Sequence, residues 1–299
     1  MAISIFLSLF LFLMFPEPTI PATLSITNNC PFPIWPGLLS GAGTSPLTTT
    51  GFLLPSGESR PIDVPPSWSG RLWGRTLCST NPSTGHFSCA TADCNSGTVS
   101  CSGSGATPPA TLAEFTLNGS DGMDFFDVSL VDGYNLPLLV IPEGGRCGST
   151  GCLVDVTEVC PPELLVVASG EAVACRSACE AFGSPEYCCS GEFGGARRWR
   201  GPSIYSQLFK NACPRAYSYA YDDATSTFTC SAGTDFAVTF CPSTTSLKST
   251  GSGNNPQAVG LPLINDTMMF LQGSYSKGQA PAPLTLVVLG VLSAVWWLL

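Results

Sequence analysis

The chain has 299 residues, of which 15 are cysteine, 31 glycine and 26 proline, while charged residues make up only 11%. So few charges among so many turn formers exclude a mainly helical chain and point to a loop-rich, β-rich one. Fifteen thiols exclude a reducing cytosol, and a net charge of −9 excludes nucleic acid as a partner.

Residues Ile3 to Phe15 are almost unbroken Ile, Leu, Phe and Met, followed by Pro16 and Pro18. That is the length of a signal-peptide core and too short to cross a bilayer. The leader is expected to cover 1–22, with a cut between Ile20 and Thr23 and small Ala22 before it. The first residues lack Lys or Arg, and an uncleaved anchor is the competing reading. Short strand signals follow between turn formers. Leu24-Ser-Ile-Thr alternates apolar and polar, as does Phe126-Asp-Val-Ser-Leu-Val, and Thr225-Ser-Thr-Phe-Thr and Phe236-Ala-Val-Thr-Phe are rich in β-formers. One run, Pro162 to Phe182, carries Leu164, Leu165, Ala168, Ala172, Cys175, Ala178 and Cys179 at helical spacings, interrupted at Ser169-Gly170. The expected architecture is mainly β, a sandwich or barrel followed by a cysteine-dense helical and loop region with too little apolar side chain to fold without crosslinks.

After Cys241-Pro242 the composition changes to Ser, Thr, Gly, Asn and Pro, so the folded domain is expected to span 23–242 and a flexible stalk 243–283. Residues 284–299 are apolar; sixteen helical residues reach about 24 Å against a hydrocarbon core of about 30 Å. Upstream lie the small residues Gly273, Ser274 and Ser276 and a short spacer. This order matches a glycosylphosphatidylinositol signal with lipid attachment at Ser274, its neighbours remaining candidates and a tail-anchored span the alternative. Trimming both ends removes one acid, Glu17, and one base, Lys277, so the charge stays at −9. The sequons at Asn118 and Asn265 are expected glycan acceptors.

Five carboxylates, Glu114, Asp121, Asp124, Asp127 and Asp132, lie within nineteen residues with no Lys or Arg between them. The plain reading is a solvated acidic face. On a strand through 125–131, however, Asp127 and Ser129 share one face opposite Phe126, Val128 and Leu130, and Asp132 falls at the closing turn. No metal site is expected, because the chain has a single histidine, His86, read as a turn residue, and its thiols are oxidised.

The segment Gly85-His-Phe-Ser-Cys89-Ala-Thr-Ala-Asp-Cys94-Asn-Ser-Gly97-Thr-Val-Ser-Cys101 resembles the signature of the thaumatin-like, pathogenesis-related family. Further family-like phrases follow in order: Ile26 to Gly37, Ser69-Gly-Arg71-Leu-Trp-Gly-Arg75-Thr, Leu112-Ala-Glu114-Phe, Asp127 to Pro137, Tyr187-Cys-Cys-Ser-Gly, and Cys213 to Cys230. The resemblance runs from about Thr23 to Pro242 and implies a flattened β-sandwich with smaller disulfide-rich lobes. It implies the pairs Cys30–Cys241, Cys78–Cys89, Cys94–Cys101, Cys147–Cys230, Cys152–Cys213, Cys160–Cys175 and Cys179–Cys188. Members carry an eighth bridge, but here Trp199 stands where the partner of Cys189 belongs, so Cys189 is expected to be unpaired. It is read as an inert remnant; the competing reading is a reactive or intermolecular thiol favoured by Arg197, Arg198 and Arg200.

The resemblance also implies an acidic cleft built from Arg71, Glu114, Asp127, Asp132 and Asp222, with Asp223 the alternative to the last. In the family this cleft is implicated in binding β-1,3-glucan, some members hydrolyse it weakly, and many are antifungal. The expectation is a secreted or lipid-anchored, monomeric defence protein at the outer face of the plasma membrane that binds cell-wall polysaccharide and needs no cofactor. Weak hydrolysis, with Glu114 as acid and Asp127 or another aspartate as base or nucleophile, is the alternative; an inhibitor or interaction module is the third. Tyr134, Phe193, Tyr217 and Tyr219 are candidate sugar-stacking rings.

Overall fold

The computed structural model describes residues 21–144, 146–194 and 201–243. The expected leader up to residue 20, most of the stalk, the apolar tail, Asn265, Ser274 and the segment holding Trp199 and its neighbouring arginines lie outside those residues.

Thirteen strands are described, most of them in two sheets. One runs β3 (Ser59–Val64), β1 (Ala22–Asn28), β13 (Asp235–Phe240), β8 (Leu138–Glu143) and β9 (Thr150–Cys152). Only β1 and β13, the first and last strands, pair in parallel within it. The second runs β12 (Phe228–Ser231), β7 (Met123–Ser129), β6 (Leu112–Thr116), β4 (Ser69–Thr80) and β2 (Trp35–Ser40), all antiparallel, with β5 (Phe87–Thr91) paired to the far end of β4.

Strict alternation explains how the sheets stack. On β1, Leu24 and Ile26 are buried while Ser25 and Thr27 are not; on β7, Phe126 and Val128 turn inward while Asp127 turns out. Phe236 of β13 meets Phe115 of β6 edge-on at 5.3 Å and Phe126 of β7 at 5.0 Å, so aromatic side chains from both inner faces interdigitate.

The outer face of the second sheet is covered at one end only. Trp73 and Leu112 project outward there and pack under Ala92, Cys94, Cys101 and Ala110. The Trp73 indole donates to the Ala92 carbonyl at 3.0 Å. Arg75, with no exposed surface, donates to the carbonyls of Trp35 at 2.9 Å, Pro36 at 3.4 Å and Val99. Burying a guanidinium is tolerable when carbonyls take its donors. Residues 92–110 are thereby clamped over that end, and the middle of the face stays open.

The segment expected to be helical from Pro162 to Phe182 is mostly a hairpin. β10 (Leu165–Ala168) pairs with β11 (Glu171–Cys175), and only α1 (Ala178–Phe182) is helix. Ser169 and Gly170 form the two-residue turn at φ 53° and 86°, the backbone that turns a hairpin tightly. β-branched Val166 and Val167 favour the strand, and the Cys160–Cys175 bridge holds β11 against the preceding loop. The apolar spacing came from alanines and cysteines, which suit either structure. Similarly, Thr225 and Ser226 belong to α3 (Asp223–Ser226), and the strand begins only at Phe228.

Seven disulfides staple this frame: Cys30–Cys241, Cys78–Cys89, Cys94–Cys101, Cys147–Cys230, Cys152–Cys213, Cys160–Cys175 and Cys179–Cys188. Four of them hold the region from Cys147 to Cys213, which contains α1 and α2 (Ile204–Ala212), to itself or to the sandwich. Cys189 is free and half-buried. Burial pushes its thiol up, away from thiolate, with a backbone hydrogen bond to Ala220 acting the other way. Among the described residues, no helix is long and apolar enough to cross a membrane.

Candidate functional site

The open middle of the second sheet carries the acidic residues. Register sets Arg71 on β4 beside Glu114 on β6, and Glu114 beside Asp127 on β7. Three charged side chains therefore stand in one row across three adjacent strands, all on the outer face. Ser69, Thr116 and Phe125 form the next row on one side; Trp73, Leu112 and Ser129 form the next on the other. Rows two residues apart are separated by roughly 6.6 Å.

A cavity of about 360 Å³ opens on the Ser129 side and is walled by Leu112, Val131, Asp132, Tyr217 and Ala220. Another of about 410 Å³ opens on the Thr116 side, walled by residues 39–42, Ser69, Gly70 and Phe125. Arg71, Glu114 and Asp127 belong to both. The two cavities form one trough with the charged row across its middle.

The walls are fixed by backbone bonds. Tyr217 docks against β7 by donating its N–H to Val128 and accepting from Leu130, both at 2.8 Å. Asp132 sits in the turn after β7, where its carbonyl accepts from Ala110 at 3.0 Å. The next residue, Gly133, has φ 86°, and a Cβ there would stand 2.7 Å from both the Cys175 carbonyl and Pro109. Only glycine fits that turn, which brings Asp132 to the trough.

The carboxyls differ in environment. Arg71 Nε lies 3.7 Å from Glu114 Oε1, and both side chains are half-buried in the trough. Burial raises the Glu114 carboxyl, with Arg71 opposing and Asp132 reinforcing. Asp127 is pushed up to about 8, mainly by burial and then by the charges of Glu114 and Asp223. Its Oδ1 is buried with no hydrogen-bond partner among the described residues. Tyr217 donates to Asp223 Oδ1 at 2.8 Å and shares a short hydrogen bond with Thr227, so its phenol is already engaged.

Of the residues expected here, Arg71, Glu114, Asp127 and Asp132 meet in the trough. Asp222 does not face it. Its carboxylate is buried, 2.9 Å from Lys210 Nζ, and accepts from the Ser218 backbone and hydroxyl at 3.1 Å. Lys210 also donates to Ser226 at 2.8 Å and the Ala216 carbonyl at 3.1 Å, so Asp222 belongs to a structural network under the Tyr217 loop. Asp223 is the neighbour that acts electrostatically on Asp127. Asp124 is fully buried and accepts from the backbones of Asn118 and Thr234, while Asp121 is an exposed turn residue. Asn118 is exposed beside it, donating from Nδ2 to Ser67 at 3.1 Å.

Tyr134 is core, its hydroxyl donating to the Val154 carbonyl at 3.2 Å. Tyr217 is the one candidate ring that lines the trough. Tyr219 lies in the field of Asp222 and Asp223, and Phe193 ends a short 3-10 turn. Sequence reasoning missed Phe125, which the alternation through Asp127 and Ser129 already put on the outer face. It also missed Glu180, in the first turn of α1. Burial raises Glu180 to about 7, Arg176 opposes, and Asp132 adds to the rise, so the trough's negative field extends to α1.

Comparison with known proteins gives a family match, described as the Thaumatin family, over residues 28–242. Thaumatin-like protein 1 of Arabidopsis thaliana is 54% identical over 230 residues, covering 74% of this chain and 86% of that protein. A protein of Prunus avium named glucan endo-1,3-beta-glucosidase is 53% identical over 224 residues, covering 74% and 91%. The PR5-like receptor kinase of Arabidopsis thaliana is 53% identical over 225 residues, but the match spans only 34% of that kinase.

Proposed function

The chain belongs to the thaumatin family, and on that premise we propose that it is a cell-surface defence protein that binds β-1,3-glucan in the acidic trough. The observation that carries this reading is the Arg71–Glu114–Asp127 row, set across the middle of a trough that continues on both sides. The interior of a long polysaccharide chain, far from either end, can be held only by a site open in both directions. Its hydroxyls need closely spaced acceptors and donors, which carboxylates and a guanidinium supply. Tyr217 and Phe125 offer ring surface at opposite ends of the trough.

Slow hydrolysis in the same trough is the second reading, favoured by two adjacent carboxyls in unequal environments. It also agrees with the name of the Prunus avium relative. Both readings keep the protein at the outer face of the plasma membrane through a lipid attached near Ser274.

The test uses protein released from membranes by a phosphatidylinositol-specific phospholipase; failure of release removes the lipid anchor from the proposal. Wild type is expected to sediment with insoluble β-1,3-glucan, and Glu114→Ala to lose about tenfold or more in affinity, in line with removing one charge-assisted contact. Reducing-end release, present in wild type and absent in the variant, would establish turnover. Equal sedimentation of the two proteins would remove the trough from the account.

A further inference from the structure

We propose that Asp127 is the trough's proton donor and Glu114 its fixed anion, an exchange of the roles expected from sequence. The inference rests on the glucan-binding reading for its ligand, but its physical basis lies in the arrangement of the row.

Glu114 and Asp127 are direct cross-strand neighbours on one face. Two anions so placed repel, and paired carboxyls commonly hold one proton between them. The order of the row decides where that proton resides. Arg71 flanks Glu114 on the side away from Asp127, with Nε 3.7 Å from Oε1, so the one cation in the row favours Glu114 as the anion.

Asp127 has the opposite surroundings. From β6 it faces Glu114; from the α3 end it feels Asp223; across the trough lies Asp132. The phenol that lines the trough, Tyr217, is committed to Asp223 and Thr227. Among the described residues, Oδ1 of Asp127 is buried and has no hydrogen-bond partner. A carboxylate with one oxygen cut off from water and donors is costly, whereas a neutral acid can carry its proton on Oδ2 and offer that O–H to a ligand in the trough. The upward displacement of Asp127 to about 8 agrees with this geometry.

In binding, the Asp127 O–H donates to a glucan oxygen that Glu114 cannot serve as a donor. In hydrolysis, that proton passes to the glycosidic oxygen while the C1–O bond breaks, and the leaving saccharide departs as an alcohol. Water then supplies the hydroxyl to C1. Either Glu114 takes the water's proton as the water attacks, or Glu114 bonds C1 first and Asp127 takes the proton from the water that displaces it. One water is consumed per bond cleaved, and proton exchange with solvent restores the starting pair.

Two measurements test this. Carboxyl NMR titration of the free protein, assigned with Asp127→Asn and Glu114→Gln, is expected to find Asp127 titrating last of the pair, near neutral pH or above. Asp127 titrating with ordinary carboxylates, or losing its proton before Glu114 does, overturns the inference whatever the protein binds. Laminarihexaose binding across pH 5 to 9 is the second. Wild-type affinity is expected to fall as pH rises through the Asp127 transition. Asp127→Asn should keep affinity within about threefold of the low-pH wild type and show no such fall, because its amide still donates; Glu114→Gln should lose about tenfold at every pH. The reverse pattern, with Glu114→Gln tolerated and Asp127→Asn not, returns the donor role to Glu114. No wild-type binding at any pH refutes the glucan reading, while the NMR titration still decides where the proton sits.

Discussion

Replacing Cys30 and Cys241 together with alanine is expected to lower the free energy of unfolding by about 4–5 kcal/mol, the largest stability loss from any one disulfide here. The bridge joins residues 211 apart, the longest loop of the seven. Chain-entropy arguments scale the effect with the logarithm of loop length, so the contrast is Cys94–Cys101, which spans 7. Its double alanine variant should lose only about 2–2.5 kcal/mol. Cys94 and Cys101 are both buried, whereas Cys30 is buried and Cys241 only partly so; lost packing therefore does not favour the long bridge, and loop length is the main difference. The long bridge also ties the end of β1 to the end of β13, the parallel pair at the centre of the first sheet. Urea unfolding of both variants checks this; equal midpoints, or a greater loss from the short loop, would contradict it.

The Asp127→Asn variant should be more stable than wild type at pH 8, by on the order of 2–3 kcal/mol, and equal to it near pH 4. An unfolded aspartate ionises near 4, whereas Asp127 in the fold holds its proton to about 8. Between those values the folded state carries a proton that the unfolded state has lost. Wild-type stability from this group is therefore complete below about 4 and falls as pH rises toward 8. Asparagine has nothing to ionise and escapes the loss. The full displacement would give nearly twice the figure, and water in the open trough screens it. A stability difference that does not change with pH would mean that Asp127 ionises normally in the fold. A stabilising substitution at a site carboxyl is the usual mark of a residue kept for function.

The site was legible where it depended on one strand. Alternation along 125–131 put Asp127 and Ser129 on the outer face without further information, and by the same rule Phe125. What one strand does not contain is its neighbour's register. That Glu114 stands between Arg71 and Asp127, and hence which carboxyl receives the cation, follows from the β4–β6–β7 pairing alone. Asp222 and Asp223 are adjacent in sequence and alike in type, yet Lys210 on α2 captures one and leaves the other toward Asp127. No local pattern separates them. The hairpin at 165–175 was obscured for a different reason: alanines and cysteines at helical spacing carry little conformational preference, so the turn at Ser169-Gly170, the β-branched valines and the Cys160–Cys175 bridge decided the outcome.

The arrangement also accounts for how an acidic floor survives in a well-packed sheet. Cross-strand repulsion between Glu114 and Asp127 is relieved by Arg71 on one side and by retention of a proton on the other. The inner faces of the same strands are held by Phe115, Phe126 and Phe236. The surrounding fold therefore maintains the row without requiring it to be locally favourable.

The most direct measurement is titration of the protein with laminarihexaose, followed through backbone amide shifts by NMR. Perturbations are expected to concentrate in Ser69–Arg71, Leu112–Thr116, Phe125–Asp132 and Tyr217–Ala220, on both sides of the charged row, and to weaken in Glu114→Ala. Perturbations confined to another face, such as β3 and β1, or none at saturating sugar, would contradict glucan binding in the trough.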